Sequence, residues 1–303
     1  NEDGVHIGGI VGFLRSVGFA INMERPTRTI IVFDGKGGSN RRRKIFPEYK
    51  AGRKMSVRLN RHLDVSLTRE DEHKMMIRQL NRLIEYLECL PLTITTMDNI
   101  EADDVIGYSA KHIFKDKCTI MSTDKDFLQL VDERIKVYSP TKKLMYDEER
   151  ILNEYGINAK NFLLYRMLDG DKSDGIPGVK GVGLKTLLKI FPFLESPHKY
   201  TLDDLIKSSI PKVKQYKLCA EIIDSEEQML MNKKLMDLDD LNISGSSKLK
   251  IQDIVEQPIQ RMVKHKFQRM FLEDKLYTAL PNLESWLHST FNRLNQMAEK
   301  THG

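Results

Sequence analysis

An α/β fold built on a parallel sheet, followed by a C-terminal helical appendage, is what this 303-residue sequence predicts. Two observations point there. Short β-branched apolar runs alternate with stretches of helical periodicity through the first half of the chain, the pattern of strands joined by helical crossovers. From Asp147 onward the pattern becomes helical, broken by a glycine-rich segment at 175–183. A hydrophobic content of 40% is enough for a main domain and a smaller appendage with a real core.

Taken in order, Ile10, Phe13, Leu14 and Val17 share one face of a helix expected from Gly9 to Asn22. The run Thr29 to Phe33 reads as a buried strand closing at Asp34, and Leu92 to Met97 repeats it. A helix is expected from Ala102 to Phe114, a strand from Cys118 to Ser122 and a short helix from Lys125 to Val131. Ile135 to Tyr138 and Leu144 to Tyr146, separated by Ser139, Pro140 and Thr141, form a terminal hairpin. The α/β part is thus expected to occupy residues 1–147 and a helical region 148–245. Gly245, Ser246 and Ser247 mark the boundary of an appendage at 246–303. In that appendage the amphipathic stretch Ile259 to Leu276 is expected to pack on its own domain rather than on a partner.

Lys and Arg exceed Asp and Glu by 48 to 43, a small surplus that can hide strong local segregation of sign. Cys89, Cys118 and Cys219 form no CxxC pair and have no histidine at ligand spacing, which argues against a zinc site or a disulfide framework. No stretch reaches the roughly 18 to 20 apolar residues that span a bilayer, and no leader pattern is present, so a cytoplasmic protein with no membrane partner is expected.

The acidic residues carry the chemistry. In an open α/β sheet, ligands bind beyond the carboxyl ends of the strands. There the sequence places Asp34, then Glu101, Asp103 and Asp104, then Asp124 and Asp126, with Asp171 and Asp174 entering the glycine-rich turn. So many carboxylates in one cleft would raise one another's pKa values until several became neutral, unless cations intervene. Oxygen ligands without His or Cys point to Mg²⁺ or Mn²⁺, and their number suits two ions about 3.5 to 4 Å apart acting on a phosphodiester. A single Asp at a helix start, such as Asp124 or Asp147, is more often an N-cap than a ligand. Capping does not account for the whole set.

EADD at 101–104, STDKDF at 122–127 and GDKSDGIPGVKGVG at 170–183 resemble, in that order, the three acidic motifs of the flap endonuclease and 5′-3′ exonuclease superfamily, in its bacteriophage form. The resemblance covers Gly9 to about Leu241. It implies a PIN-like 5′ nuclease core with a helical arch at about 50–80 and a helix-three-turn-helix at 170–191. It also implies that Asp34, Glu101, Asp103, Asp104 and Asp124 hold or support the first metal, that Asp126, Asp171 and Asp174 serve the second, and that Asp124 lies between them.

Residues 41–61 contain nine Lys or Arg against the single acid Glu48, the local segregation that the overall charge conceals. Such a run is usually a solvated face or an arm. Its PEYKAGR core resembles the segment at the base of the family's arch, which implies that Lys50 offsets transition-state charge, Arg53 assists it and Tyr49 stacks on an unpaired base. Arg41, Arg42, Arg43 and Lys54 would contact nucleic acid. The dense glycines, among them Gly178, Gly181 and Gly183, allow close backbone approach, and a helix from Leu184 to Phe191 would present free N–H groups to a phosphate. This segment resembles the family's duplex clamp, which implies phosphate contacts at Arg166 and Lys185 and K⁺ bound through main-chain carbonyls; Lys180 is a plausible addition.

One departure concerns the start. The family has a central first strand ending in a metal-binding Asp, whereas Asp3 follows no apolar run and is not taken as a ligand. The expectation is that a longer parent chain supplies that strand. The expected activity is hydrolysis at 5′ flaps, nicks, gaps or primer RNA by a monomer, on branched or nicked DNA and on RNA–DNA hybrid, with replication proteins as further partners. The competing expectations are a catalytically silent junction-binding relative and a PIN-like single-strand ribonuclease.

Overall fold

The computed structural model describes residues 5–52, 68–241 and 243–301. In chain order its elements are α1 (Gly8–Glu24), β1 (Ile30–Asp34), α2 (Asn40–Ile45), α3 (Arg69–Leu87), β2 (Thr93–Met97), α4 (Ala102–Tyr108), β3 (Cys118–Met121), β4 (Ile135–Ser139), β5 (Leu144–Tyr146), α5 (Glu148–Tyr155), α6 (Phe162–Asp169), α7 (Leu184–Ile190), α8 (Leu202–Ser209), α9 (Lys217–Asp224), α10 (Glu226–Met236), α11 (Gly245–Glu256), α12 (Lys264–Glu273) and α13 (Leu283–Thr301). A π-helical turn, Ser109–Ile113, prolongs α4, and a 3₁₀ turn, Lys125–Leu130, follows β3. The elements expected up to Tyr146 are therefore present, with ends displaced by a residue or two.

The chain divides into two compact units. One comprises Asn1–Val32, Lys54–Thr95 and Ile254–Gly303; the other comprises Phe33–Arg53 and Thr96–Asp253. In the first, α1 packs against α3 and α13. The last fifty residues are not a separate appendage. Val263 N–H donates to Cys89 O at 2.8 Å, and Tyr86 meets Phe267 edge-to-face at 4.9 Å. Arg82 Nε lies 2.7 Å from Asp274 Oδ2. The expected boundary at 245–247 is instead a helix start, where Ser244 Oγ accepts from Ser247 N–H at 3.1 Å. Likewise the amphipathic stretch Ile259 to Leu276 is helical only over α12, which buries Phe267, Met270 and Phe271. No described helix is long and apolar enough to cross a membrane.

Among the described residues the strands form two sheets, β1–β2 and β3–β4–β5, rather than one parallel sheet. β3 and β4 are parallel, Cys118 opposite Ile135, whereas β5 turns back antiparallel through the expected hairpin. On the larger sheet sits the core of the second unit, including Ile120, Phe127, Leu130, Val137, Phe162, Leu168, Phe191 and Ile222. Its burial fixes the turns after β3 and α6, where the acidic segments begin.

Candidate metal and nucleic-acid site

All three acidic motifs and the PEYK segment belong to the second unit. β1 delivers Asp34, and the next residue must be small: a Cβ on Gly35 would lie 1.9 Å from Met97 O. That close crossing brings Asp34 Oδ1 to 2.9 Å from Ala102 N–H, so an aspartate from another segment caps α4, while Glu101 at its N-cap makes no side-chain cap.

Glu101 is thereby released for longer contacts. Its carboxylate is buried, with Lys50 Nζ at 2.6 Å from Oε1, Tyr49 Oη at 3.1 Å from Oε2 and Arg42 on Oε2 as well. Asp104, with no exposed surface, takes both Arg42 nitrogens at 2.7 and 2.9 Å, and Arg41 at 3.1 Å. Burial pushes the Arg42 pKa down, but Asp104 and Glu101 outweigh it and hold the guanidinium charged. Burial also carries the Tyr49 phenol well above its ordinary range, the Arg42 charge opposing and Glu101 adding to the rise, so Tyr49 stays protonated and donates to Glu101. Lys50 adopts a left-handed backbone, φ 58°, with its N–H on Asp174 O at 2.9 Å. One tight turn thus joins the Glu101 segment to the Asp171–Asp174 segment.

The other two motifs meet at Arg166. Its Nε lies 2.6 Å from Asp126 Oδ1, Nη2 lies 2.9 Å from Asp171 Oδ2, and Nη1 reaches Asp169 and Gly170 O. Asp171 is folded into its own loop: Oδ1 accepts from Ser173 N–H at 2.8 Å, Ser173 Oγ at 2.7 Å and Asp174 N–H at 3.2 Å. Burial would raise its pKa, but Ser173 and the Arg166 charge prevail and lower it. Asp103 behaves oppositely. Burial, then the charge of Asp124, push it up to about 7 despite Lys50 and Arg42. Asp126 rises to about 6, from burial and from Asp124 and Asp171 against Arg166. Asp124 itself caps the 3₁₀ turn, Oδ1 accepting from Asp126 N–H at 2.8 Å.

Residues 1–156, just over half the chain, match the model of the 5′-3′ exonuclease N-terminal resolvase-like domain. This chain belongs to the 5′-3′ exonuclease family. The 5′-3′ exonuclease of Buchnera aphidicola from Acyrthosiphon pisum is 30% identical over 238 residues, 78% of this chain and 77% of that protein. DNA polymerase I of Bacillus subtilis is 30% identical over 241 residues, and there the chain spans only 25% of the relative's length. Among solved structures, the phage T5 protein co-crystallised with metal ions aligns over 89% of this chain and 91% of its own, with TM-score 0.63 and 21% identity. The flap endonuclease of that phage, complexed with DNA and metal ions, gives TM-score 0.62 at 20% identity, over 88% of this chain and 91% of its own. At such identities it is the fold that is shared.

In this 5′-3′ exonuclease-family chain, no three His, Cys, Asp or Glu side chains among the described residues converge into a ready-made cage. The donor set still fits hard divalent cations. Asp103 and Asp126 are lifted by burial and by one shared neighbour, the electrostatic mark of carboxylates crowded together. Asp34 is exposed, and Asp103, Asp124 and Asp126 are half-buried at the edge.

Several expected nucleic-acid contacts sit elsewhere. Arg42, only 3% exposed, is an internal tie between α2, α4 and Leu235 O, because three acceptors compensate its burial. Arg166, also 3% exposed, holds the acidic segments together instead of meeting a phosphate. Tyr49 packs against Ile176, Leu235 and Met236, so its ring offers no face for stacking on a base. Gly178 answers to packing, since a Cβ there would lie 2.3 Å from Asp169 O. Arg43, Lys180, Gly181, Gly183 and Lys185 are exposed and Arg41 half-buried. Arg41, Arg43 and Lys44 line an open basic groove of about 470 Å³ with Asn40 and Asn99. Arg53 and Lys54 lie outside the described residues, as do residues 53–67 of the arch expected at about 50–80. Sequence reasoning missed Gln129, Gln228 and Asn232, whose amides donate to main-chain carbonyls in and beside these segments; a polar residue within a helical pattern gives no sign of which backbone carbonyls it will meet.

Proposed function

We propose that this chain hydrolyses phosphodiester bonds near 5′ ends in branched or nicked DNA, at flaps, nicks and gaps, with two Mg²⁺ or Mn²⁺ ions. The reading rests on how the acidic motifs are joined: Lys50 binds Glu101 through its side chain and Asp174 O through its backbone N–H, and Arg166 ties Asp126 to Asp171. Asp34, Glu101, Asp103 and Asp124 would hold the first ion, with Asp104 supporting them through Arg41 and Arg42. Asp126, Asp171 and Asp174 would hold the second. When bound, such a pair stabilises the charge of an in-line displacement by water.

The chain's own residues orient the substrate. Lys50, already within 2.6 Å of Glu101, brings positive charge to the carboxylate edge, where a scissile phosphate would need it; Tyr49 fixes Glu101 from behind. Arg53 would assist Lys50. Lys180 and Lys185 grip duplex phosphates without reading sequence, and Arg41, Arg43 and Lys44 receive a strand in the basic groove. K⁺ at main-chain carbonyls of the glycine-rich turn and RNA–DNA hybrid as a second substrate belong to the same proposal.

The test is cleavage of a 5′-flap duplex with Mg²⁺, set beside junction binding in chelator. Asp124→Asn and Asp171→Asn are expected to abolish cutting and keep binding, because each removes a ligand yet lessens repulsion toward phosphate. Near-normal turnover by either variant would overturn the site. Binding without cutting by the wild type would favour the silent relative, and preferential cleavage of single-stranded RNA the ribonuclease.

A further inference from the structure

Asn232 on α10 has no exposed surface, and its amide nitrogen donates to two main-chain carbonyls, Met167 O and Pro177 O, both at 2.8 Å. These carbonyls flank the loop that carries Asp171 and Asp174. Met167 lies near the end of α6; Pro177 follows Ile176, whose N–H and C=O both pair with Asp171 across a single antiparallel bridge. One side chain therefore pins both ends of the loop. Gln228, one turn earlier on α10, donates to the same Pro177 O at 3.0 Å.

The last turn of α10 reaches the other acidic motifs. Gln129, in the 3₁₀ turn that Asp124 caps, donates to Asp126 O and Met236 O at 2.8 Å each, and its Oε1 accepts from Leu238 N–H at 3.0 Å. Arg42, which holds Glu101 and Asp104, donates to Leu235 O at 2.7 Å. A single helix thus touches the supports of all three acidic segments. The Oδ1 of Asn232 accepts no hydrogen bond among the described residues. A buried amide oxygen without a partner costs stability, and a leucine of similar size would avoid that cost. What asparagine adds at this place is its pair of donated bonds.

We propose that α10 is a brace for the carboxylate edge and that Asn232 is its positioning residue, setting the Asp171–Asp174 loop against the segments carrying Glu101 and Asp126. The proposal rests on the nuclease reading above. It assigns Asn232 no contact with substrate or metal.

The experiment compares Asn232→Leu and Gln228→Ala with Leu205→Ala, a core truncation on α8, at matched loss of thermal stability. Three quantities are read: amide hydrogen exchange at Ile176 and Val179, kcat and KM on a 5′-flap duplex, and the Mn²⁺ concentration giving half-saturation in direct binding. Asn232→Leu is expected to speed both amides at least tenfold, lower kcat at least tenfold with little change in KM, and raise the half-saturating Mn²⁺ concentration. Gln228→Ala should shift Ile176 exchange the same way by a smaller factor, and Leu205→Ala should move none of the three. Wild-type exchange and kcat in Asn232→Leu, or the same changes in Leu205→Ala, would overturn the brace. If Asn232→Leu does not fold, unaltered Ile176 exchange in Gln228→Ala overturns it. A wild type that cuts no flap refutes the nuclease reading separately, while exchange and Mn²⁺ binding still decide the brace.

Discussion

Arg42 and Asp104 form a two-pronged buried ion pair, Nη2 at 2.7 Å from Oδ1 and Nη1 at 2.9 Å from Oδ2. Both side chains are almost wholly removed from water, at 3% and 1% exposure. Removing one partner leaves a buried charge behind, and that residual charge dominates the cost. Arg42→Met is therefore expected to lower stability by about 3 kcal/mol, even with Arg41 still on Asp104. Arg42→Met with Asp104→Leu should recover part of the loss. Urea unfolding of the three proteins checks this; a single variant within about 1 kcal/mol of wild type would show that the pair is solvated in practice.

Lys50 faces a different test, since its ammonium lies at the carboxylate edge on a side chain that keeps 15% of its surface exposed. Lys50→Ala should lower turnover at saturating substrate by roughly a hundredfold if its charge acts mainly in the transition state. Steady-state kinetics on a flap separate the possibilities. An effect confined to KM would make Lys50 a tether.

Lys185 is exposed at the start of α7, beyond the glycine-rich turn. If it meets duplex phosphate, Lys185→Ala should reduce the slope of log affinity against log salt by about one unit. Flaps of one shape and different sequence should bind alike. A strong sequence preference, or an unchanged slope, would remove Lys185 from the interface.

Asp132, outside the three acidic motifs, contributes to acid sensitivity. Burial pushes the Asp132 pKa up, but Lys111 Nζ at 3.0 Å and the N–H groups of Ile135 and Arg134 outweigh it and lower it below 3.8. A carboxylate depressed in the folded state contributes stability above its unfolded pKa, and that contribution is lost as pH falls through the folded value. Asp132→Asn should therefore be less stable than wild type at pH 6, as probed by urea melts, with the gap closing as the pH drops below 3.8. A gap independent of pH would mean that only the backbone hydrogen bonds matter.

The acidic segments were legible in the sequence because their signals are local. A β-branched run followed by Asp, or Glu-x-Asp-Asp opening a helix, takes the same form in almost any surroundings, so strand ends and carboxylates could be placed together. Asp124 illustrates the limit. Its N-cap to Asp126 N–H follows from neighbouring residues, whereas its electrostatic hold on Asp103, twenty-one positions earlier, required the fold.

Charge runs and buried amides were not legible. Arg41, Arg42 and Arg43 are adjacent and chemically identical, yet Arg42 is internal, Arg41 half-buried and Arg43 exposed. What separates them is the rotation of a short helix relative to Glu101, Asp104 and Leu235 O, none of which is near in sequence. The sequence by itself determined where the acidic side chains lie and at which strand ends they stand, because backbone periodicity and turn chemistry act over a few residues. The tertiary structure alone decided which carboxylates receive an arginine and which side chains brace them, because ion pairing and burial depend on long-range packing that brings Arg42, Arg166 and Asn232 to partners in other elements.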